Sequence, residues 1–426
     1  MAPWRGCSAA GRGVYRRRPR ARARRGASVA VSPDMIVRVA ARGDGVTADG
    51  RHAALAAPGD TLNPDGSLTP GPHHQVPPCR HFPICGGCQL QHLDDASHAG
   101  FIVDRIASAL AAHDLATEIR PPLLSPPRTR RRATLHAEAK GGRVRIGFTE
   151  AGSHALVDIQ ECHILAPELF ALVAPLRALL ARIGFRRRAD IQLTSCDQGV
   201  DVLIGAGAEG LEAAEAINDF CLEHRIARFA TDDGIGPETR WEPEPATVTL
   251  GGVPVPFPHG SFLQATREGE AALIAAVREA VGAPATIADL FAGLGTFALS
   301  LAPAKVYAAE AGRNAILSLK GAAAIAGRPV FAEHRDLYRR PLTTTELDRF
   351  GAIVLDPPRS GAREQVANLA RCKVLAIAYV SCNPSSFARD AQMLCEGGYR
   401  VDWIQPVGQF RWSTHVELAA RFSRQG

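Results

Sequence analysis

Cys382 lies just past an apolar run, residues 374–380, that reads as a buried strand, and it stands between Ser381 and the pair Asn383-Pro384. A thiol delivered to the end of a sheet strand is a candidate nucleophile, although a lone cysteine is more often an inert core residue. Its neighbours decide between the two. A second buried strand, residues 352–355, ends in Asp356-Pro357-Pro358-Arg359, where two prolines remove backbone donors and stiffen the loop at the carboxyl edge of a sheet. Near the C-terminus, Thr414-His415-Val416-Glu417 is expected on a strand, with His415 and Glu417 on one face. Glu417 is thereby a candidate general base; the bland alternative is a surface glutamate.

Residues 286–299 read as a strand through Asp289, a tight loop through Gly293 and Gly295, and then a helix. Paired glycines let backbone approach a ligand and aim a helix N-terminus at it. The third glycine of a dinucleotide fingerprint is absent, since Ala298 occupies its place. Glu310 ends the next strand, residues 305–309, and could accept two ribose hydroxyls; Asp336 follows a short strand at 329–332 and could meet an adenine amino group. An adenosyl cofactor without pyrophosphate, such as S-adenosylmethionine (SAM), fits these residues.

Cys79, Cys85 and Cys88 share a loop loosened by Pro83, Gly86 and Gly87, and Cys162 lies on a distant strand-like segment. Three close thiols and one distant partner can surround an iron–sulfur cluster or a tetrahedral zinc, and the spacing leaves both open. Disulfides are disfavoured because no secretory signal accompanies the ten cysteines.

The elements that must position these groups fall into a recognisable order. A chain of 426 residues, 46% hydrophobic and 22% charged, has enough apolar material for two or three cores. Its apolar runs are too short to cross a bilayer, so no membrane association is expected and the expected compartment is the cytoplasm. The net charge of +6 comes from nine arginines that precede the first acid, Asp34; without them 40 basic residues face 43 acidic ones. Any nucleic-acid surface is therefore a local patch, for which Arg128, Arg130, Arg131 and Arg132, and also Arg186, Arg187 and Arg188, are candidates. Solvated faces are the plainer reading of both.

Residues 1–34 are expected to be a disordered Arg-rich tail: a transit peptide, an RNA-gripping arm, or translated sequence upstream of a start at Met35. The strand pattern beginning at Met35 favours the last. Residues 35 to about 60 read as a small β unit with glycine turns, and 64–78 as a Pro, Gly and His linker. A helix is expected over 101–115, antiparallel strands around 144–148 within an α+β region, and, from about 262 onward, the alternation of a parallel, doubly wound α/β sheet.

Taken together, the cysteine spacing, Asp356-Pro357-Pro358-Arg359, Ser381-Cys382-Asn383-Pro384 and His415-Val416-Glu417 resemble the uracil-5 RNA methyltransferase family, above all its iron–sulfur branch acting on 23S rRNA. The resemblance covers nearly everything after Met35. It implies a Rossmann-like SAM methyltransferase domain (98–122 and 261–426), a central α+β iron–sulfur and RNA-binding domain (79–97 and 123–260), and a shortened N-terminal TRAM-like β-barrel segment with its linker (35–78). It also implies a [4Fe-4S] cluster on Cys79, Cys85, Cys88 and Cys162. The implied SAM site involves Gln264, Phe291, Thr296, Glu310, Asp336 and Asp356.

In such a family Cys382 adds to carbon 6 of uracil, carbon 5 attacks the donor methyl group, and Glu417 removes the carbon 5 proton before elimination frees the thiol. The base must leave its RNA stack, and Phe262 is a candidate surface for it. Backbone amides and Asn383 are candidate donors to the Cys382 thiolate. The expected partner is 23S rRNA, with tRNA as the alternative, no obligate protein partner and a monomeric chain. A reading from another class is a catalytically silent iron–sulfur RNA-binding protein. The chain departs from the family in its short TRAM-like segment and at Thr266 and Thr296, each of which stands where asparagine is usual.

Overall fold

The computed structural model describes residues 32–424, so the expectation for the Arg-rich tail falls outside the described residues as far as residue 31. Apolar strand sequences flanked by helices produce a nine-stranded sheet, seven of whose strands come from the second half of the chain. Five strands run parallel, in the spatial order Val330–His334, Lys305–Glu310, Thr286–Leu290, Ala352–Leu355 and Ala376–Ser381. Glu417–Ser423 then pairs antiparallel with Ala376–Ser381, and Arg400–Gly408 pairs antiparallel with Glu417–Ser423. The strands read as continuous apolar runs because both faces are covered. One core contains Ile353, Leu355, Phe387 and Phe422; the other contains Leu273, Val277, Phe297 and Leu319.

The helix expected over 101–115 runs Asp95–Ala111, beginning six residues earlier because the Asp94 side chain caps it by accepting a hydrogen bond from Ser97 N at 2.7 Å. Phe101, Ile102, Ile106 and Leu110 recur at helical spacing and are buried in the first sheet core. The chain then adds Glu118–Ile119 and Leu123–Leu124 beside Arg400–Gly408. Packing thus unites this early segment with the parallel sheet, although some 140 residues of another unit intervene in the sequence.

That intervening unit is a seven-stranded sheet, antiparallel except where Gly199–Ile204 runs parallel to Ile226–Thr231, with helices Val173–Arg182 and Leu211–His224 closing a separate core. The N-terminal β unit is real but small: a three-stranded sheet of Ile36–Val39, Gly45–Thr47 and His52–Ala53, and a hairpin of Thr61–Leu62 with Leu68–Thr69.

Three expectations need correction. Residues 64–78 are not a loose linker: the buried Asp60 carboxylate accepts from Ala57 N and Gly71 N and meets the His74 ring at 2.7 Å, folding the segment back. Cys162 sits in irregular chain beyond Leu156–Asp158, not on a strand. After Gly295 the chain makes turns, with one helical hydrogen bond from Leu299 N to Gly295 O, rather than a helix. Among the described residues no helix is long and apolar enough to cross a membrane.

Candidate active site

The ladder register brings the reactive groups together. Ser381 lies opposite Leu418 in the antiparallel pair, so the next residue on one strand, Cys382, emerges beside the first on the other, Glu417. Leu355 pairs with both Leu290 and Tyr379, which places Asp356 and Phe291 at the same carboxyl edge. A cleft of about 1130 Å³ opens there, lined by Cys382, Glu417, His415, Asp356, Arg359, Phe291, Thr296, Glu310, Asp336 and Phe262. Every sequence-derived residue of the adenosyl and reactive sites except Gln264 and Asn383 lines it.

Gln264 stands one layer behind, buried, with its amide nitrogen 3.4 Å from Asp356 Oδ2. Thr266 does not face the cleft either: it caps the helix Arg267–Val281 by accepting from Gly269 N, and it bonds Ser125 Oγ at 2.7 Å. Only Glu417 belongs to the strand expected over 414–417, with Thr414 to Val416 preceding it as a loop.

Backbone geometry around the glycine loop explains its sequence. Gly295 has φ +96°, and a Cβ there would lie 2.4 Å from Leu319 Cδ1, so only glycine admits the helix Arg313–Ile325 this close. Phe291, with φ +65°, holds a left-handed conformation that a bulky residue rarely adopts, and its ring meets that of Tyr338 at 5.5 Å. Both oxygens of Glu310 accept backbone hydrogen bonds, from Gly293 N at 2.9 Å and Gly312 N at 2.6 Å. A carboxylate has further lone pairs, so this anchoring leaves room for a ligand hydroxyl.

The cleft is strongly acidic along one wall. Burial, then the neighbouring Asp356 and Glu310, pushes Asp289 up to about 8; one of its oxygens accepts from Ala298 N and the other has no partner. Burial and Glu310 raise Asp356 to about 7, and burial and Asp356 raise Glu417 to about 8. Carboxyls crowded this way hold protons until a positive charge arrives. Cys382 is raised to about 11 by burial, Glu417 and Asp356, against which Arg359 pulls it down. Because Cys382 immediately precedes the N-cap of helix Pro384–Glu396, the helix N-terminus also favours its thiolate. Asn383 plays another part: its side-chain oxygen caps that helix at Ser385 N and its amide donates to Arg359 O.

The second cluster of chemistry lies alongside. Cys79, Cys85, Cys88 and Cys162, all free thiols, line one cavity of about 40 Å³ together with His81, Glu161, Arg130 and Phe148. Burial raises all four, Cys88 to about 12; neighbouring thiols add to this at Cys79, Cys85 and Cys88, whereas backbone hydrogen bonds at Leu165 and Ile164 and then the charges of Arg130 and Arg128 oppose it at Cys162. Among the described residues, no three His, Cys, Asp or Glu side chains converge as a single metal ion requires. Arg130, Gly87 and Phe148 line both this cavity and the large cleft. The arginine cluster is therefore not a solvated face: Arg131 is buried in an ion pair with Glu270, whereas Arg186, Arg187 and Arg188 are exposed.

Two groups, one lining the cleft and one buried behind it, carried no sequence signal. Tyr338 follows Asp336 by two residues and is aligned only by folding. Gln409 lies outside every motif, yet its buried amide joins Gln264 to Glu417.

Comparison with known proteins places this geometry in a lineage. Residues 329–425 match the family model described as tRNA (uracil-5-)-methyltransferase. An uncharacterized RNA methyltransferase of Zymomonas mobilis is 50% identical, covering 91% of this chain and 99% of that protein. The 23S rRNA (uracil(1939)-C(5))-methyltransferase RlmD of Chromohalobacter salexigens is 32% identical, covering 84% and 78%. Among solved structures, the Pyrococcus abyssi tRNA (uracil-54, C5)-methyltransferase in complex with S-adenosyl-L-homocysteine superposes with a TM-score of 0.70 at 23% identity, covering 91% of this chain and 99% of that one.

Proposed function

Because the chain belongs to the uracil-5 RNA methyltransferase family, we propose that it methylates carbon 5 of a uridine in 23S rRNA, with Cys382 as nucleophile and Glu417 as base. The observation that carries this reading is the juxtaposition of a thiol and a buried carboxyl at one sheet edge, facing a cleft large enough for a nucleotide. SAM, when bound, supplies an electrophilic methyl group on a sulfonium. The residues present suit it: Asp356 and Glu310 in the cleft wall, with Asp289 buried beside them, favour a cationic ligand, Phe291 and Tyr338 offer aromatic faces, and Asp336 borders the same pocket. Gln264 and Thr296 complete the proposed set, Gln264 acting through Asp356.

The chain's own steps follow from charge. Cys382 loses its proton to solvent in the open cleft and its sulfur adds to carbon 6 of the uracil, and the electron pair of the 5,6 double bond moves to carbon 5 and the carbonyl oxygen at position 4. Carbon 5 then takes the methyl group. Glu417, as carboxylate, accepts the carbon 5 proton, the double bond re-forms, and the sulfur leaves carbon 6. Phe262, 63% exposed with the Arg132 guanidinium 5.2 Å from its ring centre, offers a stacking face for an unstacked base.

Cys79, Cys85, Cys88 and Cys162 would hold a [4Fe-4S] cluster. Four free thiols around one cavity are the donor set that such a cluster takes, and the choice of a cluster over a tetrahedral zinc rests on the family resemblance. Arg130 would offset its negative charge.

The test is a map of 5-methyluridine in ribosomal and transfer RNA from cells with and without the gene. Loss at one large-subunit uridine is expected. Loss only in tRNA would move the substrate to the one named for the Pyrococcus abyssi neighbour, and no loss in either would favour a catalytically silent RNA-binding protein.

A further inference from the structure

The buried amide of Gln409 makes three hydrogen bonds. Its oxygen accepts from Ala265 N at 2.9 Å, and its nitrogen donates to Gln264 Oε1 at 2.7 Å and to Glu417 Oε2 at 3.2 Å. The orientation is fixed chemically, since a backbone N–H can only donate and so requires the oxygen to face it. The nitrogen is then obliged to face the other two. Gln409 is 2% exposed, and a Cβ on Gly269 would lie 2.6 Å from its own Cβ, so the first turn of helix Arg267–Val281 clamps the side chain in place.

Resting on the methyltransferase reading above, we propose that Gln409 is a positioning residue that aligns the Glu417 carboxyl for removal of the carbon 5 proton and ties that alignment to Gln264 at the cofactor end of the cleft. The chain of contacts runs from Glu417 through Gln409 to Gln264 and on to Asp356. Among the described residues, Gln409 is the side-chain donor to Glu417. Its hydrogen bond favours the carboxylate, opposing burial and the nearby charge of Asp356, while Cys382 faces Glu417 from the adjacent strand and His415 lies on its own segment. Methyl transfer precedes proton removal, so loss of this contact should slow the second step more than the first.

The experiment uses Gln409→Leu, with Gln409→Met as a second variant that keeps more of the volume, each compared with the full-length wild type on unfluorinated substrate RNA. Both variants should accumulate a denaturant-stable protein–RNA adduct carrying the new methyl group, at least about tenfold above wild type, as expected when a 10²–10⁴-fold general-base contribution is partly lost. The acidic limb of the rate–pH profile should also move to higher pH, because the carboxylate has lost a donor. Wild-type adduct levels together with an unshifted profile in a folded variant would overturn the proposal. A control separates the two layers: if wild type itself forms no adduct with 5-fluorouridine RNA, the underlying methyltransferase reading fails instead.

Discussion

The two thiol sites differ less in burial than in what they open onto. Burial raises both the cysteine quartet and Cys382, Cys88 to about 12 and Cys382 to about 11, so desolvation alone does not distinguish the proposed ligands from the proposed nucleophile. The quartet shares a 40 Å³ cavity in which its members crowd one another; Cys382 sits at a helix N-terminus beside Arg359 and faces 1130 Å³. A thiol surrounded by thiols needs a metal to become a thiolate. A thiol at a helix start can be activated by the protein and consumed by a substrate. The sites are also joined, since Gln89 N and Leu90 N, just past Cys88, both donate to Trp412 O in the loop that carries Gln409 and leads to Glu417.

The sharpest break of this comparison is Cys382→Ala. Methyl transfer should fall on the order of 10⁴-fold or more, as for other nucleophile deletions, and adduct formation with 5-fluorouridine RNA should vanish while iron content stays constant. Loss of iron in this variant would mean the two sites are not separable.

Glu417→Gln should act next most strongly. Proton removal should slow by roughly 10²–10⁴-fold, and methylated RNA should remain attached to Cys382. In the wild type the carboxyl is raised to about 8 and must be ionised to accept a proton, so the rate should climb with pH through that region. A flat profile between pH 6 and 9 would remove Glu417 from the role. Stability should run the other way. Asp289, Asp356 and Glu417 bind protons more tightly folded than unfolded, so that contribution is complete below about pH 4, the ordinary range for carboxyls, and is lost as pH rises through about 7 to 8.

A milder test is Cys88→Ser. Iron and visible colour should be lost, and activity should drop about 10- to 100-fold, because Gly86, Gly87 and Gln89 form a wall of the catalytic cleft. Retained iron would contradict the assignment of Cys88 as a ligand.

The legibility of the molecule follows the same division. Parallel strands such as Ala352–Leu355 were plain in the sequence because both-face burial writes a continuous apolar run, and strand ends locate reactive residues by topology alone. Helix Asp95–Ala111 was displaced by a cap at Asp94 that hydrophobic spacing does not record. The chain after Gly295 resembled a helix in composition, yet the close packing of Leu319 and the left-handed turn there override local propensity. Gln409 and Tyr338 were invisible because their importance is a matter of distance across the fold, not of spacing along it.

Arg359→Gln should produce the smallest effect and the finest distinction. Arg359 is solvent-exposed, so its pull on Cys382 is screened, and its loss should slow the reaction only by roughly 2- to 5-fold at neutral pH, the range for an exposed charge pair. Raising the pH should restore the rate, because a weaker acid reaches the same thiolate fraction in more alkaline solution. Added salt should slow the wild type toward the variant, since screening already does part of what the substitution does. Arg130 offers the matched control: it is largely buried, it borders both cavities, and its charge acts on Cys88 and Cys162. Arg130→Gln should therefore alter the iron site's spectrum, whereas Arg359→Gln should leave it unchanged. If the Arg359 defect persists undiminished at high pH, the residue holds the substrate rather than the thiolate, and activation of Cys382 then rests on the helix N-terminus alone.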